Sequence, residues 1–113
     1  FKEKIHAISI IDEYLEHARV MYFYNRGAED IYISSADWMT RNLDHRIEVA
    51  VKVTQPNLKK EIKDMLDIQL RDNVKARILD KNLNNHYVTA EKGEKNHRSQ
   101  LEIYDYLKAI SYE

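Results

Sequence analysis

The residues best suited to do chemistry in this chain are one histidine and three arginines between positions 14 and 48. His17 precedes an apolar run and is followed by Arg19, whereas Arg41 and Arg46 come after the next apolar run. Imidazole titrates near neutral pH, so it can bind phosphate as a cation, exchange a proton or act as a nucleophile. Guanidinium is always charged and grips phosphate oxygens with two parallel hydrogen bonds. The combination predicts a local phosphate site, and it leaves the role of His17 open.

Polar residues after the second apolar run are predicted to support this site. Ser34, Ser35 and Asp37 could donate or orient hydrogen bonds at the same edge of a sheet. Their alternative role is ordinary turn chemistry, since Ser and Asp favour turns and helix caps. The alternative for Arg19 is a surface salt bridge with Glu16. An isolated histidine or arginine is also more often a solvated surface residue than a ligand.

Composition excludes several classes of function. The chain has 113 residues, enough for one domain or part of one. Its 18 basic and 19 acidic residues leave a net charge of -1, so no nucleic-acid partner is expected through overall charge. Cysteine is absent and the four histidines other than His17 lack ligand spacing, so no metal site formed by this chain alone is predicted. No run is long enough to span a membrane, and cytoplasm is the expected compartment.

Apolar patterns predict strands that alternate with helices. A hairpin loop is predicted at residues 25–30, where Gly27 takes a positive φ, and a polar, mobile loop is predicted at residues 82–96. Residues 35–43 are predicted to be irregular with a short helical turn. Predicted strands cover residues 5–11, 19–24, 31–34, 47–53 and 74–79, and predicted helices cover residues 56–72 and 97–110.

The alternation of strands and helices favours an α/β or α+β layered fold, with a mixed sheet flanked by helices. Trp38 and Met39 are predicted to close the core beneath the loop that follows residues 31–34. The chain opens at Phe1 without an initiator Met, so it is expected to be a fragment, a truncated domain from which an upstream segment was removed. Periodicity predicts two buried apolar faces, one on the strand at 47–53 and one on the last helix: Ile47, Val49, Val51 and Val53, and Leu101, Tyr104, Leu107 and Ile110.

Five segments resemble the C-terminal part of bacterial polyphosphate kinase. The stretch SSADWMTRNL is the most specific of them, and the similarity runs in order through essentially the whole chain. The segments are residues 14–19 (YLEHAR), 31–43 (IYISSADWMTRNL), 46–49 (RIEV), 72–77 (DNVKAR) and 100–107 (QLEIYDYL).

The resemblance implies an enzyme that reversibly transfers the terminal phosphate of ATP to inorganic polyphosphate through a phosphohistidine. Residues 1–113 would be the C-terminal part of its C-terminal catalytic domain, with a phospholipase D-like fold. The phosphorylated histidine and the ligands of the magnesium ion would lie in upstream domains of the same polypeptide. The isolated chain is therefore expected to be inactive.

The resemblance also implies roles for particular residues. The phospholipase D superfamily has a His-x-Lys element, a Gly-Ser-x-Asn strand end and a later Glu. Here His17 and Arg19 match the first element, residues 34–37 match the second with Asp37 in place of Asn, and Glu48 matches the third. His17 would contact nucleotide phosphates and assist transfer as an acid or base. Arg19 and Asp37 depart from the superfamily pattern, and this argues against lipase or nuclease activity.

The expected partners are ATP or ADP, polyphosphate and the upstream domains, in a homo-oligomer. The intact enzyme is expected in the cytoplasm, with membrane association as an alternative. Two other functions are considered: a phospholipase D-like phosphodiesterase with His17 as its nucleophile, and a non-catalytic module that binds polyphosphate or a partner through its arginines.

Overall fold

The computed structural model describes residues 3–110, which form strands and helices in alternation. These residues divide into a central unit, Glu16–Asp64, and a terminal unit made of the residues before and after it. The alternation confirms the expected α/β class. The elements are β1 (Ile8–Ile10), β2 (Val20–Phe23), β3 (Asp30–Ser34), α1 (Thr40–His45), β4 (Ala50–Val53), α2 (Pro56–Leu70), β5 (Ala76–Ile78) and α3 (Ser99–Ala109).

The described strands form two antiparallel sheets instead of the one mixed sheet that was expected. β2, β3 and β4 make a three-stranded sheet in the central unit, and β1 pairs with β5 in the terminal unit. β2 and β3 are joined by a short connection, and they pair antiparallel because a parallel pair needs a crossover of a dozen or more residues. The predicted strands all exist, although most are shorter than their apolar patterns.

A tight hairpin joins β2 and β3, as predicted. The connecting 3-10 turn covers Asn25–Gly27, and Gly27 has a φ of +91°. The carbonyl of Tyr24 accepts hydrogen bonds from the N–H groups of Gly27 and Glu29 at 2.9 and 3.2 Å. The register pairs Val20 with Ile33, so the start of β2 lies beside the end of β3.

Several apolar residues of the central unit are exposed, contrary to prediction. Trp38 is 94% exposed and does not close a core, and Met39 is 45% exposed. The predicted strand at 47–53 begins only at Ala50, and its predicted apolar face is open at Ile47 and Val49, which are 99% and 59% exposed. The alternation of apolar and polar residues along a strand shows which side chains share one face of the sheet. Whether that face is buried depends on whether another helix or strand covers it. Ile31 is the fully buried apolar side chain of this sheet.

Helix α2 begins at Pro56, where a missing N–H costs nothing. It was predicted from the Thr-Gln-Pro signal and from apolar residues at helical spacing. Its Lys59 Nζ donates a hydrogen bond to the carbonyl of Ala28 at 2.9 Å, which ties the first turns of the helix to the hairpin loop.

The terminal unit is organised around buried polar groups. Asp72 is 1% exposed and accepts backbone N–H groups at the approach to β5 and at the start of α3. Asp12 receives two hydrogen bonds from Arg98, at 2.9 and 2.7 Å. The side chain of Gln100 bonds both backbone groups of Tyr14, accepting at 3.0 Å and donating at 2.6 Å. The contacts of Arg98 with Asp12 and of Gln100 with Tyr14 join segments 86 residues apart.

Helix α3 exists as predicted but buries a different face. Ser99, Gln100 and Ile103 are buried, whereas the predicted core residues Leu101 and Tyr104 are 45% and 63% exposed. The N–H of Ser99 bonds Asp72, and this polar anchor sets the rotation of the helix. Residues 82–96 contain no helix or extended strand, and an isolated bridge pairs Tyr87 with Arg77.

Candidate phosphate site

The hairpin brings together three of the predicted site residues, His17, Arg19 and Asp37. Arg19 immediately precedes β2, and Asp37 follows the end of β3. Because β2 and β3 run antiparallel, these two positions meet at one end of the sheet. The ladder extends to this point, since the N–H of Ser34 donates to the carbonyl of Arg19 at 2.9 Å.

Arg19 lies at the centre of this trio. Its Nε donates to Asp37 Oδ1 at 2.5 Å and its Nη2 donates to Asp37 Oδ2 at 3.2 Å. Nη2 also lies 2.7 Å from Nε2 of His17, and Nε2 lies 3.4 Å from Asp37 Oδ1. The considered salt bridge from Arg19 to Glu16 is therefore wrong. Glu16 is adjacent in sequence, but the hairpin supplies a carboxylate in the planar, two-bond geometry that guanidinium prefers.

Arg19 and Asp37 stabilise each other's charged forms. The hydrogen bond from Arg19 lowers the pKa of Asp37, and the charges of Arg19 and His17 act in the same direction. The hydrogen bond to Asp37 raises the pKa of Arg19, and the carboxylates of Asp37 and Glu48 reinforce this. Among residues 3–110, no hydrogen bond engages Nη1 of Arg19, so its two N–H groups remain for an anion.

Ser35 and Glu48 form a second contact next to the trio. The hydroxyl of Ser35 donates to Glu48 Oε2 and accepts from the N–H of Val49 at 3.0 Å. The N–H of Ser35 donates to the carbonyl of Val49 at 2.9 Å. These bonds hold the segment before β4 against the end of β3, so Glu48 is within electrostatic range of Arg19.

Arg41 and Arg46 are not joined to the trio by any hydrogen bond among residues 3–110. Arg41 is exposed on α1, and Arg46 Nη1 donates to Asn42 Oδ1 at 3.2 Å. Asn42 is 2% exposed, and its Nδ2 has no partner in the described part of the chain. The sequence interpretation missed Asn42. Its spacing of four residues before Arg46 is the signal that could have found it, since side chains at i and i+4 meet on a helix.

A cavity of about 500 Å³ opens beside Arg19 and Asp37. Its wall is mainly apolar, and Arg19 and Asp37 are its charged residues. The remaining lining residues are Ala18, Val20, Met21, Ser34, Ala36, Trp38 and Leu43.

The described residues do not form a metal centre. Within residues 3–110, no group of three or more His, Asp or Glu side chains could hold a metal ion. In the same part of the chain, no helix has the length and apolar character needed to cross a bilayer.

The chain is similar to known proteins in both sequence and fold. Polyphosphate kinases of Escherichia coli K12 and Vibrio parahaemolyticus are 53% and 55% identical to the chain over 108 residues, or 96% of it. The chain spans only 16% and 15% of those relatives. The crystal structure of polyphosphate kinase from Porphyromonas gingivalis matches with a TM-score of 0.87 and 51% identity, over 91% of this chain and 16% of that one.

The fold is α/β, and one end of its hairpin carries a cluster of histidine, arginine and aspartate. The model of the polyphosphate kinase C-terminal domain 2 family matches residues 1–100, and the chain belongs to that family. The structural match also confirms the expected fold of the C-terminal region of polyphosphate kinase.

Proposed function

We propose that this chain supplies one part of the phosphoryl-transfer site of a polyphosphate kinase. The whole enzyme would reversibly transfer the terminal phosphate of ATP to inorganic polyphosphate, through a phosphohistidine that lies outside residues 1–113. The chain would be the C-terminal part of the C-terminal catalytic domain. Magnesium would be held by residues outside it, and the intact enzyme would be a cytoplasmic homo-oligomer.

The observation that carries the proposal is the contact between His17 and Arg19 at the end of a sheet. Arg19 is held on one edge by Asp37, so its charge is fixed in place before any ligand arrives. Phosphoryl transfer depends mainly on positioning and on stabilising charge on the phosphate oxygens. A guanidinium that is already oriented contributes both, because no reorganisation is needed when the anion binds.

Each residue then has a defined task. Arg19 would bind phosphate oxygens through Nη1, the nitrogen that carries no hydrogen bond within residues 3–110. His17, whose side chain is 66% exposed, would bind the same phosphate or exchange a proton with it. Arg46 and Arg41 would add positive charge from α1 and its C-terminal end. Ser35 and Glu48 would support the backbone that carries this edge of the site.

The decisive experiment is His17→Ala in the full-length enzyme that contains this chain. We expect turnover in ATP-dependent polyphosphate synthesis to fall by about 10²- to 10⁴-fold, the usual contribution of a positioned acid or base. His86→Ala is the matched control, because His86 is an exposed histidine of the terminal unit. Its turnover should equal that of the wild type.

Binding measurements separate catalysis from passive binding. Tripolyphosphate binding to the 113-residue chain, followed by calorimetry, should weaken in Arg19→Ala. If His17→Ala leaves turnover unchanged in the full-length enzyme while Arg46→Ala abolishes binding, the catalytic proposal is wrong and the chain is a binding module. Phosphodiester cleavage by the purified chain would instead identify a phosphodiesterase.

A further inference from the structure

Two groups with opposite hydrogen-bonding requirements approach the same ring nitrogen of His17. Nη2 of Arg19 lies 2.7 Å from Nε2, and Oδ1 of Asp37 lies 3.4 Å from it. A guanidinium has only donors, whereas an ionised carboxylate has only acceptors. Nε2 therefore presents either a lone pair to Arg19 or an N–H group to Asp37.

The distances select the first arrangement. A separation of 2.7 Å is a normal hydrogen bond, whereas 3.4 Å exceeds the usual range of about 2.7–3.2 Å. Nε2 accordingly accepts a hydrogen bond from Arg19. In a neutral imidazole one nitrogen accepts and the other carries the proton, so the proton of His17 lies on Nδ1.

Asp37 is the reason why Arg19 takes this position. The carboxylate receives Nε at 2.5 Å and Nη2 at 3.2 Å, which fixes the plane of the guanidinium. The second hydrogen of Nη2 then points away from Asp37, toward the imidazole ring. We propose that Asp37 is a positioning residue that acts through Arg19 to keep the proton of neutral His17 on Nδ1 and the lone pair on Nε2.

This arrangement has a consequence for catalysis that rests on the proposed function. A phosphate held by Nη1 of Arg19 would lie next to Nε2, and the hydrogen bond from Nη2 to Nε2 breaks when the ring takes up a proton. A proton that leaves a phosphoryl oxygen then moves to Nε2. The resulting imidazolium donates to Asp37 Oδ1, which already lies 3.4 Å away. Asp37 therefore orients the donor to neutral His17 and accepts a hydrogen bond from the protonated ring.

The tautomer is measured directly by long-range ¹H–¹⁵N correlation spectra of the 113-residue chain with labelled histidine. The spectra are recorded at mildly alkaline pH, where a free imidazole is neutral. We expect the nitrogen shifts of His17 to show Nδ1 protonated and Nε2 unprotonated. In Asp37→Ala the signals should move toward protonation at Nε2, because Arg19 is no longer held. Asp44→Ala removes an exposed carboxylate of α1 and should leave the spectrum unchanged.

One internal reporter and one further variant guard against misfolding as an explanation. The other four histidines report in the same spectrum whether the chain is folded. Arg19→Met removes the donor to Nε2 and leaves Asp37 as an acceptor, so it should give the same change as Asp37→Ala. Protonation at Nε2 in the wild type overturns the inference, and so does an unchanged tautomer in both folded variants.

Kinetics of the full-length enzyme test the catalytic consequence separately. Asp37→Ala should lower kcat by roughly 10- to 100-fold, the scale of a residue that orients another group. It should lower kcat no further when His17 is already alanine, because a positioning residue acts only through the group that it positions. Equal losses in both backgrounds would show that Asp37 does not act through His17. If neither residue affects turnover, the proposed function fails, whereas the tautomer measured in the chain is unaffected.

Discussion

The substitution Asp72→Ala should be among the most destabilising single changes in this chain. Asp72 is 1% exposed, and Oδ1 accepts the N–H groups of Val74, Lys75 and Ala76 at 3.0, 2.7 and 2.9 Å. Oδ2 accepts the N–H of Ser99, the first residue of α3, at 2.8 Å. One side chain therefore satisfies four backbone donors in two segments of the terminal unit.

The size of the effect follows from which donors are buried. Ala76 and Ser99 are fully buried, so their N–H groups would lose a partner without gaining water. Each such orphaned donor costs about 1–3 kcal/mol, whereas the N–H groups of Val74 and Lys75 are partly accessible and cost less. Removal of the buried carboxylate returns some of this energy, since its desolvation penalty disappears. We expect a loss of about 3–5 kcal/mol in the free energy of unfolding.

The assay is urea unfolding of the 113-residue chain followed by far-ultraviolet circular dichroism. Asp72→Asn is the intermediate variant. Its amide oxygen can still accept hydrogen bonds from one set of backbone N–H groups, but its NH₂ group is a donor and cannot accept from the other set. It should lose about 1–3 kcal/mol, less than Asp72→Ala. Asp105→Ala, at an exposed position of α3, should change stability by no more than about 0.5 kcal/mol. A loss below about 1 kcal/mol for Asp72→Ala would show that the buried N–H groups of Ala76 and Ser99 do not depend on this carboxylate.

Stability should also depend on pH through Asp72. Burial raises the pKa of this carboxyl, but the hydrogen bonds from the backbone of Ser99, Lys75 and Ala76 outweigh it, and the pKa is lowered. A lowered pKa means that the folded state favours the ionised form. The stabilisation is therefore complete above the ordinary aspartate pKa of about 3.9 and is lost as pH falls through the lowered value. The difference between wild type and Asp72→Asn should shrink on acidification, and a constant difference would contradict this.

Three other substitutions test separate features of the fold. Arg98→Ala should cost about 1–3 kcal/mol in urea unfolding, because the Asp12 side chain is 1% exposed and would lose both hydrogen bonds from Arg98 while keeping the one from the N–H of Glu13, and Arg98→Lys should recover part of this. Gly27→Ala should lower stability by about 1 kcal/mol in thermal unfolding, because Gly27 has a φ of +91°, which a residue with a Cβ rarely adopts. There is space for the added Cβ, so a clearly larger loss would indicate a steric clash and contradict this reasoning. Ser35→Ala should cost about 1 kcal/mol by removing the bond to Glu48, and Ser35→Thr, which keeps the hydroxyl, should cost less.

The secondary structure of the chain could be predicted from local patterns. The hairpin with Gly27, the helix that begins at Pro56 and the last helix were all predicted in the right place. These features depend on turn chemistry and periodicity within a few residues, and such signals are present in the sequence itself. The buried face of the last helix was predicted incorrectly, because the contact of Ser99 with Asp72 joins positions 27 residues apart.

Burial in the central unit could not be predicted for a similar reason. Trp38 and Ile47 are apolar, and hydrophobicity alone placed them in a core, yet they are 94% and 99% exposed. The type of a residue determines how much free energy its burial would contribute, but whether its side chain is buried depends on whether another helix or strand packs against it. The two sheets likewise depend on which strands pair, which no single apolar run specifies.

The residues of the candidate site and their chemistry were evident in the sequence, because imidazole, guanidinium and carboxylate have fixed properties wherever they lie. Five segments, of which SSADWMTRNL at residues 34–43 is the most specific, also indicated the family from the sequence. Only the tertiary structure decided which carboxylate binds Arg19. The hairpin register brings Asp37, 18 positions away in sequence, into a two-bond contact and thereby turns Arg19 toward His17. Hydrogen bonds act over about 3 Å, so the pairing of charged groups is determined by strand register and not by sequence distance.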